Sequence, residues 1–155
     1  MNQEVRIGVI SDTHARTLGD LPNGILIALS DVDLIVHAGD FTEKAVLDGL
    51  RTLGEVKAVW GNMDSGELRR ILPRHDLFTF GERRIGLIHG WGVPWGLAER
   101  VQKTFPGADI IIFGHSHEPT NRFIENTLLF NPGRARDSFG MITIGDTVQA
   151  DIIRV

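Results

Sequence analysis

Five short apolar runs constrain this chain more than any other feature. They are Val5–Ile10, Leu34–Val36, Val56–Trp60, Ile85–Ile88 and Asp109–Phe113. They are rich in valine and isoleucine and mostly lack alternation with polar residues, as strands covered on both faces do. Helix-like stretches separate them. Gly24–Ser30 is apolar on one side. In Thr42–Leu53 the residues Ala45, Val46, Leu50 and Leu53 follow helical spacing, Thr42 is the expected N-cap and Gly54 the stop. Trp95–Phe105 is a third helix candidate, ended by Pro106-Gly107. The segment Asp64–Asp76 reads as a loop. Beyond Pro119 the pattern changes to strands at Arg122–Ile124, Thr127–Phe130, Ser138–Ile144 and Val148–Val155, joined by turns such as Glu125-Asn126 and Gly145-Asp146. Alternating strand and helix succeeded by strands predicts an α/β fold, with a mixed sheet or two packed sheets and helices outside. Right-handed crossovers then gather the C-terminal ends of the parallel strands on one edge, where ligands bind in such folds.

The residues at the end of each run are chemically specific. Val5–Ile10 leads into Ser11-Asp12-Thr13-His14, and Leu34–Val36 into His37-Ala38-Gly39-Asp40. Val56–Trp60 leads into Gly61-Asn62-Met63-Asp64, Ile85–Ile88 into His89-Gly90, and Asp109–Phe113 into Gly114-His115-Ser116-His117. Glycine beside four of these five ends lets the backbone turn sharply and approach whatever the side chains hold. Residues two apart in an extended segment point the same way, so Asp12 and His14 aim at one point, as do His115 and His117. Carboxylate, amide and imidazole without thiolate suit manganese, iron, zinc, cobalt or nickel. Seven candidates, Asp12, His14, Asp40, Asn62, His89, His115 and His117, exceed what one ion needs. With Asp40 shared they divide into two sets of four. Two ions about 3.5–4 Å apart form a clamp suited to phosphoryl chemistry.

The ordered series D-x-H, G-D, G-N-x-D, H-G and G-H-x-H resembles the calcineurin-like metallophosphoesterase superfamily. The short chain is similar to its small bacterial and archaeal phosphodiesterase branch, and Asn131-Pro132-Gly133 resembles a further turn of that branch. The resemblance implies a four-layer αββα sandwich, two mixed β-sheets flanked by helices, with a two-metal site. Carried over by motif, Asp12, His14, Asp40 and His117 hold the first ion, and Asp40, Asn62, His89 and His115 the second. Manganese heads the candidate ions, with nickel, zinc, iron, cobalt and magnesium behind it. The implied activity is hydrolysis of small phosphodiesters by a hydroxide bridging the two ions. Asp40 and Asn62 belong to the catalytic set, with Asp64 supporting them by orienting His14 or a backbone group. Many relatives carry a histidine where this chain has Met63, and a thioether cannot donate a proton. The general acid is therefore unassigned, and esters with weakly basic leaving groups are favoured.

Other residues carry competing readings. His37 suits packing or a supporting hydrogen bond and stands outside the ligand set. His75 reads as a surface loop residue. Trp91 and Trp95 form either a stacking wall or a hydrophobic plug. Arg134 or Arg136 either reaches a substrate phosphate or stays solvated.

Composition bounds the rest. A length of 155 residues suits one domain, 1–155, with a real core. The absence of cysteine excludes disulfides, thiolate zinc sites, iron–sulfur clusters and a cysteine nucleophile. No run approaches the ~18 apolar residues of a membrane span, and the first residues read as a strand rather than a signal peptide, so a cytoplasmic protein without a membrane partner is expected. A net charge of −4 disfavours nucleic acid as a partner, and with it a nuclease. Other rivals are a phosphomonoesterase and a non-catalytic scaffold resembling a eukaryotic retromer subunit that has lost most metal-site histidines. Here His14, His89, His115 and His117 are all present, which favours an enzyme. Oligomeric state is not legible.

Overall fold

The computed structural model describes residues 3–155. Two five-stranded mixed sheets form its centre. The first contains β1 (Val5–Ile10), β2 (Leu34–His37), β3 (Val56–Ala58), β9 (Ser138–Ile144) and β10 (Val148–Arg154), in the order β10-β9-β1-β2-β3. The second contains β4 (His75–Phe80), β5 (Arg83–Ile88), β6 (Ile110–Ile112), β7 (Thr120–Ile124) and β8 (Thr127–Asn131), in the order β4-β5-β6-β8-β7. The central trios β1-β2-β3 and β5-β6-β8 are parallel, and the outer strands pair antiparallel. Four α-helices, α1 (Asn23–Leu29), α2 (Lys44–Leu53), α3 (Gly66–Ile71) and α4 (Leu97–Gln102), and a short 3-10 helix at Leu18–Asp20 accompany the sheets among the described residues.

Strand periodicity explains the layering. Ile7 and Val9 of β1 and Leu34 and Val36 of β2 meet Ile85, Leu87, Ile110 and Ile112 in a core between the sheets. The alternate residues face outward. Ile10 and Ile35 pack with Ile25 and Leu29 of α1, Val46, Leu47 and Leu50 of α2, and Leu68 of α3. Ile111 and Ile88 pack with Leu97, Ala98 and Val101 of α4. The result is the four-layer αββα sandwich, with β2 and β6 buried along their whole length.

Several expected boundaries shift, and two elements are new. Thr42 is not an N-cap. α2 starts at Lys44 with Glu43 before it, while Thr42 takes φ 71° and donates its N–H to Asp64 Oδ1. The turn after β2 is committed to the ligand loop, and the helix begins only after that. The supposed loop Asp64–Asp76 contains α3, whose Ser65 hydroxyl accepts from the Leu68 N–H, and the start of β4. His75 is thus an exposed strand residue. Its alternation with half-buried Asp76, Phe78 and Phe80 is that of an edge strand.

Ile112→Ala, which empties space between the sheets, is expected to cost about 2–5 kcal/mol in denaturant unfolding, with the slope of the transition unchanged. Ile27→Ala, on a helix residue 72% exposed, is expected to stay within about 0.5 kcal/mol of the parent.

Candidate metal centre

All seven candidate ligands meet at one edge of the sandwich. β1 delivers Asp12 and His14, β2 Asp40, β3 Asn62, β5 His89 and β6 His115 and His117. Asp12 Oδ1 lies 3.5 Å from His117 Nε2 and 3.9 Å from His89 Nε2. Asp40 Oδ2 lies 3.3 Å from His89 Nε2 and 3.9 Å from His14 Nε2. Asn62 Oδ1 lies 3.0 Å from His89 Nε2 and 3.2 Å from His115 Nδ1. Two groups, Asp12-His14-His117 and Asp12-Asp40-His89, place one ligand atom from each residue within 4.8 Å of the others. Asp12 is common to both groups, and Asp40 Oδ2 lies between His89 and His14.

The hydrogen bonds on the outer side decide what the inner atoms can hold. His89 Nδ1–H donates to Ala38 O at 2.7 Å, and His115 Nε2–H donates to Gly92 O at 2.8 Å. The ring nitrogens that face inward therefore offer lone pairs. Asn62 offers them another oxygen. Asp12 Oδ2 accepts from the Ser11 hydroxyl and the His115 N–H, but its Oδ1 is buried with no hydrogen-bond partner among the described residues. Such convergence of acceptors, with an orphaned buried carboxylate oxygen, is repulsive unless a cation lies among them. Oxygen and imidazole donors fit divalent first-row ions.

The electrostatics carry the same signature. Burial pushes the Asp12 carboxyl above its ordinary value, against the pull of His89 and the Ser11 hydroxyl. Burial acts upward on Asp40 too, but the hydrogen bond and charge of His89, with the Met63 N–H, leave it below its ordinary value. Burial acts downward on His89, yet the Asp40 hydrogen bond and the charges of Asp12 and Asp40 leave it raised.

The loops are held by residues that do not face the centre. Asp64 accepts three backbone N–H bonds, from Asp40 and Gly61 through Oδ2 and from Thr42 through Oδ1. It orients backbone rather than His14, and is a positioning residue. His37 is wholly buried and stacked on Phe41, with ring centroids 3.5 Å apart. Its Nδ1 accepts the Gly39 N–H and its Nε2–H donates to Thr13 Oγ1, tying the first two ligand loops together. Burial, reinforced by the charge of His89, holds its pKa far down and keeps it neutral. Asn131, whose role the sequence left open, donates to Gly114 O and Ser116 Oγ and accepts from the Gly133 N–H. At Gly61 a Cβ would strike Asp40 Oδ1, and at Gly114 it would strike the Ser11 hydroxyl, so both glycines are needed for contact rather than for flexibility.

Two clefts flank the centre. One, of about 430 Å³, runs from Asn62 and His89 past Trp60, Trp91, Arg69 and Arg74. The other, of about 570 Å³, runs from Asp12, His14 and His117 past Arg16, Arg134 and Arg136. Trp91 thus borders the centre, whereas Trp95 faces a separate groove beside Leu97 and Ser116. Trp60, Arg69 and Arg74 do not stand out in the sequence. Their proximity to the third ligand loop is the one signal it holds. Arg134 lines its cleft while paired with Asp137 at 2.6 Å.

A double-sheet sandwich with aspartate, asparagine and histidine at its strand ends defines a metallophosphoesterase domain. The sequence model of the calcineurin-like phosphoesterase superfamily domain matches residues 5–148, and the chain belongs to that superfamily. It is 40% identical to a probable metallophosphoesterase of Methanothermobacter thermautotrophicus, over 96% of this chain and 91% of the relative. A crystal structure of wild-type Vps29 complexed with Zn2+, from Entamoeba histolytica, is similar at 26% identity and TM-score 0.74, covering 96% and 98% of the two chains. An archaeal phosphodiesterase shares the fold at TM-score 0.80 and 22% identity, covering 97% and 99%. No helix among the described residues is long and apolar enough to cross a membrane.

Without metal, Asp12→Asn removes a buried carboxylate whose charged form burial already disfavours and whose Oδ1 has no donor among the described residues, so the variant is expected to melt at or above the parent temperature. Addition of Mn2+ at about a hundred times its Kd should stabilise the parent by about 2.7 kcal/mol, or roughly 5–10 °C, and the variant hardly at all. A metal-free variant melting well below the parent would contradict the acceptor-rich reading of the site.

Proposed function

We propose that this protein hydrolyses phosphodiesters at a pair of divalent cations. The first is held by Asp12, His14, Asp40 and His117, the second by Asp40, Asn62, His89 and His115. The observation that carries the reading is the inward convergence of lone pairs, with the outer N–H groups of His89 and His115 already committed to carbonyls. Cations bound there supply Lewis acidity toward a phosphoryl group and toward attacking water. Asp40 and Asn62 keep the two ligand sets in register, and Asp64 holds the Asp40 and Gly61 backbone in place.

A diester preference draws on the clefts. A phosphodiester carries two substituents, and this centre opens on two sides. Each opening bears arginines that can meet phosphate oxygens. Met63 is 57% exposed beside Asn62, and its backbone N–H donates to Asp40 Oδ1. Its thioether holds no proton to give a leaving alcohol. Substrates whose leaving group is a weak base are therefore favoured.

The test is a metal-reconstituted screen over aryl diesters, aryl monoesters and cyclic nucleotides. Diesters should turn over fastest, and log kcat should fall as the leaving-group pKa rises. Asp40→Asn and His117→Ala should each lose at least about 100-fold, since even the outer partners of ligands cost 10–100-fold. Faster monoester turnover would replace this reading with a phosphomonoesterase. A second reading, a metal-loaded binding module, draws on the similarity to Vps29. It predicts tight metal uptake with no turnover of any ester.

A further inference from the structure

The loop 90–96 lies against the second ligand set and is gathered around one side chain. Arg100, on α4, donates from Nη2 to the Trp91 and Val93 carbonyls and from Nη1 to the Trp95 carbonyl. Its Nε is buried and makes no hydrogen bond among the described residues, a cost that the three carbonyl bonds offset. Gly92 and Gly96, at φ 83° and 73°, turn the chain around the guanidinium, and a Cβ on Gly92 would sit 3.3 Å from Nη2. The free carbonyl between the first two clasped ones is that of Gly92, and it accepts the His115 Nε2–H at 2.8 Å.

We propose that Arg100 is a positioning residue for the metal centre: by clasping three carbonyls it presents the Gly92 carbonyl to His115 and so fixes the ring with Nδ1 as the inward ligand atom. The chain of contacts is continuous, from guanidinium to loop backbone, to Gly92 O, to His115, to Asn62 Oδ1 3.2 Å beyond. A planar five-donor fork can hold three carbonyls at once, and an ammonium cannot hold them in the same fixed geometry. Unlike the other ligand histidine with a committed outer nitrogen, His115 has its partner on a loop rather than beside a strand end. His89 uses Ala38 O, one residue beyond β2, and needs no such device. Beside the clasp, Glu99 is paired with Arg122, while the charge of Arg100 also reaches it. The inference rests on His115 being a ligand of the second ion.

The test uses the full chain with Arg100→Gln, Arg100→Lys and Gly92→Ala, and Glu99→Gln as a control on the same helix. In metal-free protein at mildly alkaline pH, long-range nitrogen–proton spectra of the histidine rings should show His115 as the single Nε2–H tautomer in the parent. The Gln and Ala variants should show a mixture, Lys an intermediate state, and the control no change. Titration with Mn2+ should then show second-ion affinity reduced about 10–100-fold in the Gln variant and first-ion affinity unchanged. Gly92→Ala carries the test from the loop side if Arg100→Gln does not fold. An unaltered His115 tautomer in both would overturn the clasp. A mixed tautomer with unaltered second-ion affinity would overturn the ligand assignment instead, and a parent that binds no second ion would overturn the two-metal reading itself.

Discussion

Imidazole rings whose outer N–H groups are committed have only one use left for their inner nitrogens. In this protein Ala38 O and Gly92 O make that commitment for His89 and His115, and the inner lone pairs meet the oxygens of Asn62, Asp12 and Asp40. The arrangement is unfavourable for an empty protein. Burial raises Asp12, Asp40 and Asp12 raise His89 against the effect of burial, and one carboxylate oxygen has no donor among the described residues. The surrounding hydrogen bonds therefore oppose relaxation. Asp64, His37 and Asn131 each hold two or more separate backbone or side-chain groups, and none presents a free atom to the centre.

The backbone is strained at the same places. Asp12, His14, Asp40, His115 and His117 all have positive φ, between 45° and 70°. Left-handed geometry at a residue other than glycine costs about 1–3 kcal/mol. Five such positions approach the ~5–15 kcal/mol net stability of a whole domain. Only a well-packed frame can hold that strain, which gives the apolar inter-sheet core a functional meaning. Ile7, Val9, Val36 and Ile112 lie on the strands that lead into the strained positions, and their burial fixes where each strand ends.

The strand runs, the mixed sheets and the gathering of aspartate, asparagine and histidine at one edge are legible because they depend on residue type at strand ends. The extended i, i+2 argument for Asp12 with His14 and for His115 with His117 fails, because all four have positive φ. The positive φ values are not legible, since the favourable conformation for aspartate and histidine is elsewhere. Thr42 misled because a threonine before a helical pattern is a good cap in isolation, while the Asp64 carboxylate claims its N–H in the fold. α3 is hard to read because it is six residues long with only Leu68 buried. β4 is hidden because its exposed positions include Leu77, which masks the alternation. The Gly81-Glu82 pair, both residues at positive φ, is the two-residue hairpin signal that reveals it. Arg100 left no trace in the sequence, because its partners are carbonyls, which every residue has.

The two halves of the site are supported differently. On the first sheet, three helices cover the outer face, and the ligand loops are tied by the buried side chains His37 and Asp64. On the second sheet, one short helix covers the outer face, and the loop facing His115 is tied by a half-buried arginine. Exposed Trp91, Val93 and Trp95 sit on that loop. Side chains can vary there without disturbing Asp12 or Asp40, because the clasp uses only main-chain carbonyls. Side chains at positions 91, 93 and 95 can change while the guanidinium keeps its three acceptors and the Gly92 carbonyl keeps its aim. A fold of this kind can alter what it recognises at one rim while the ligands on the opposite sheet stay fixed by the core.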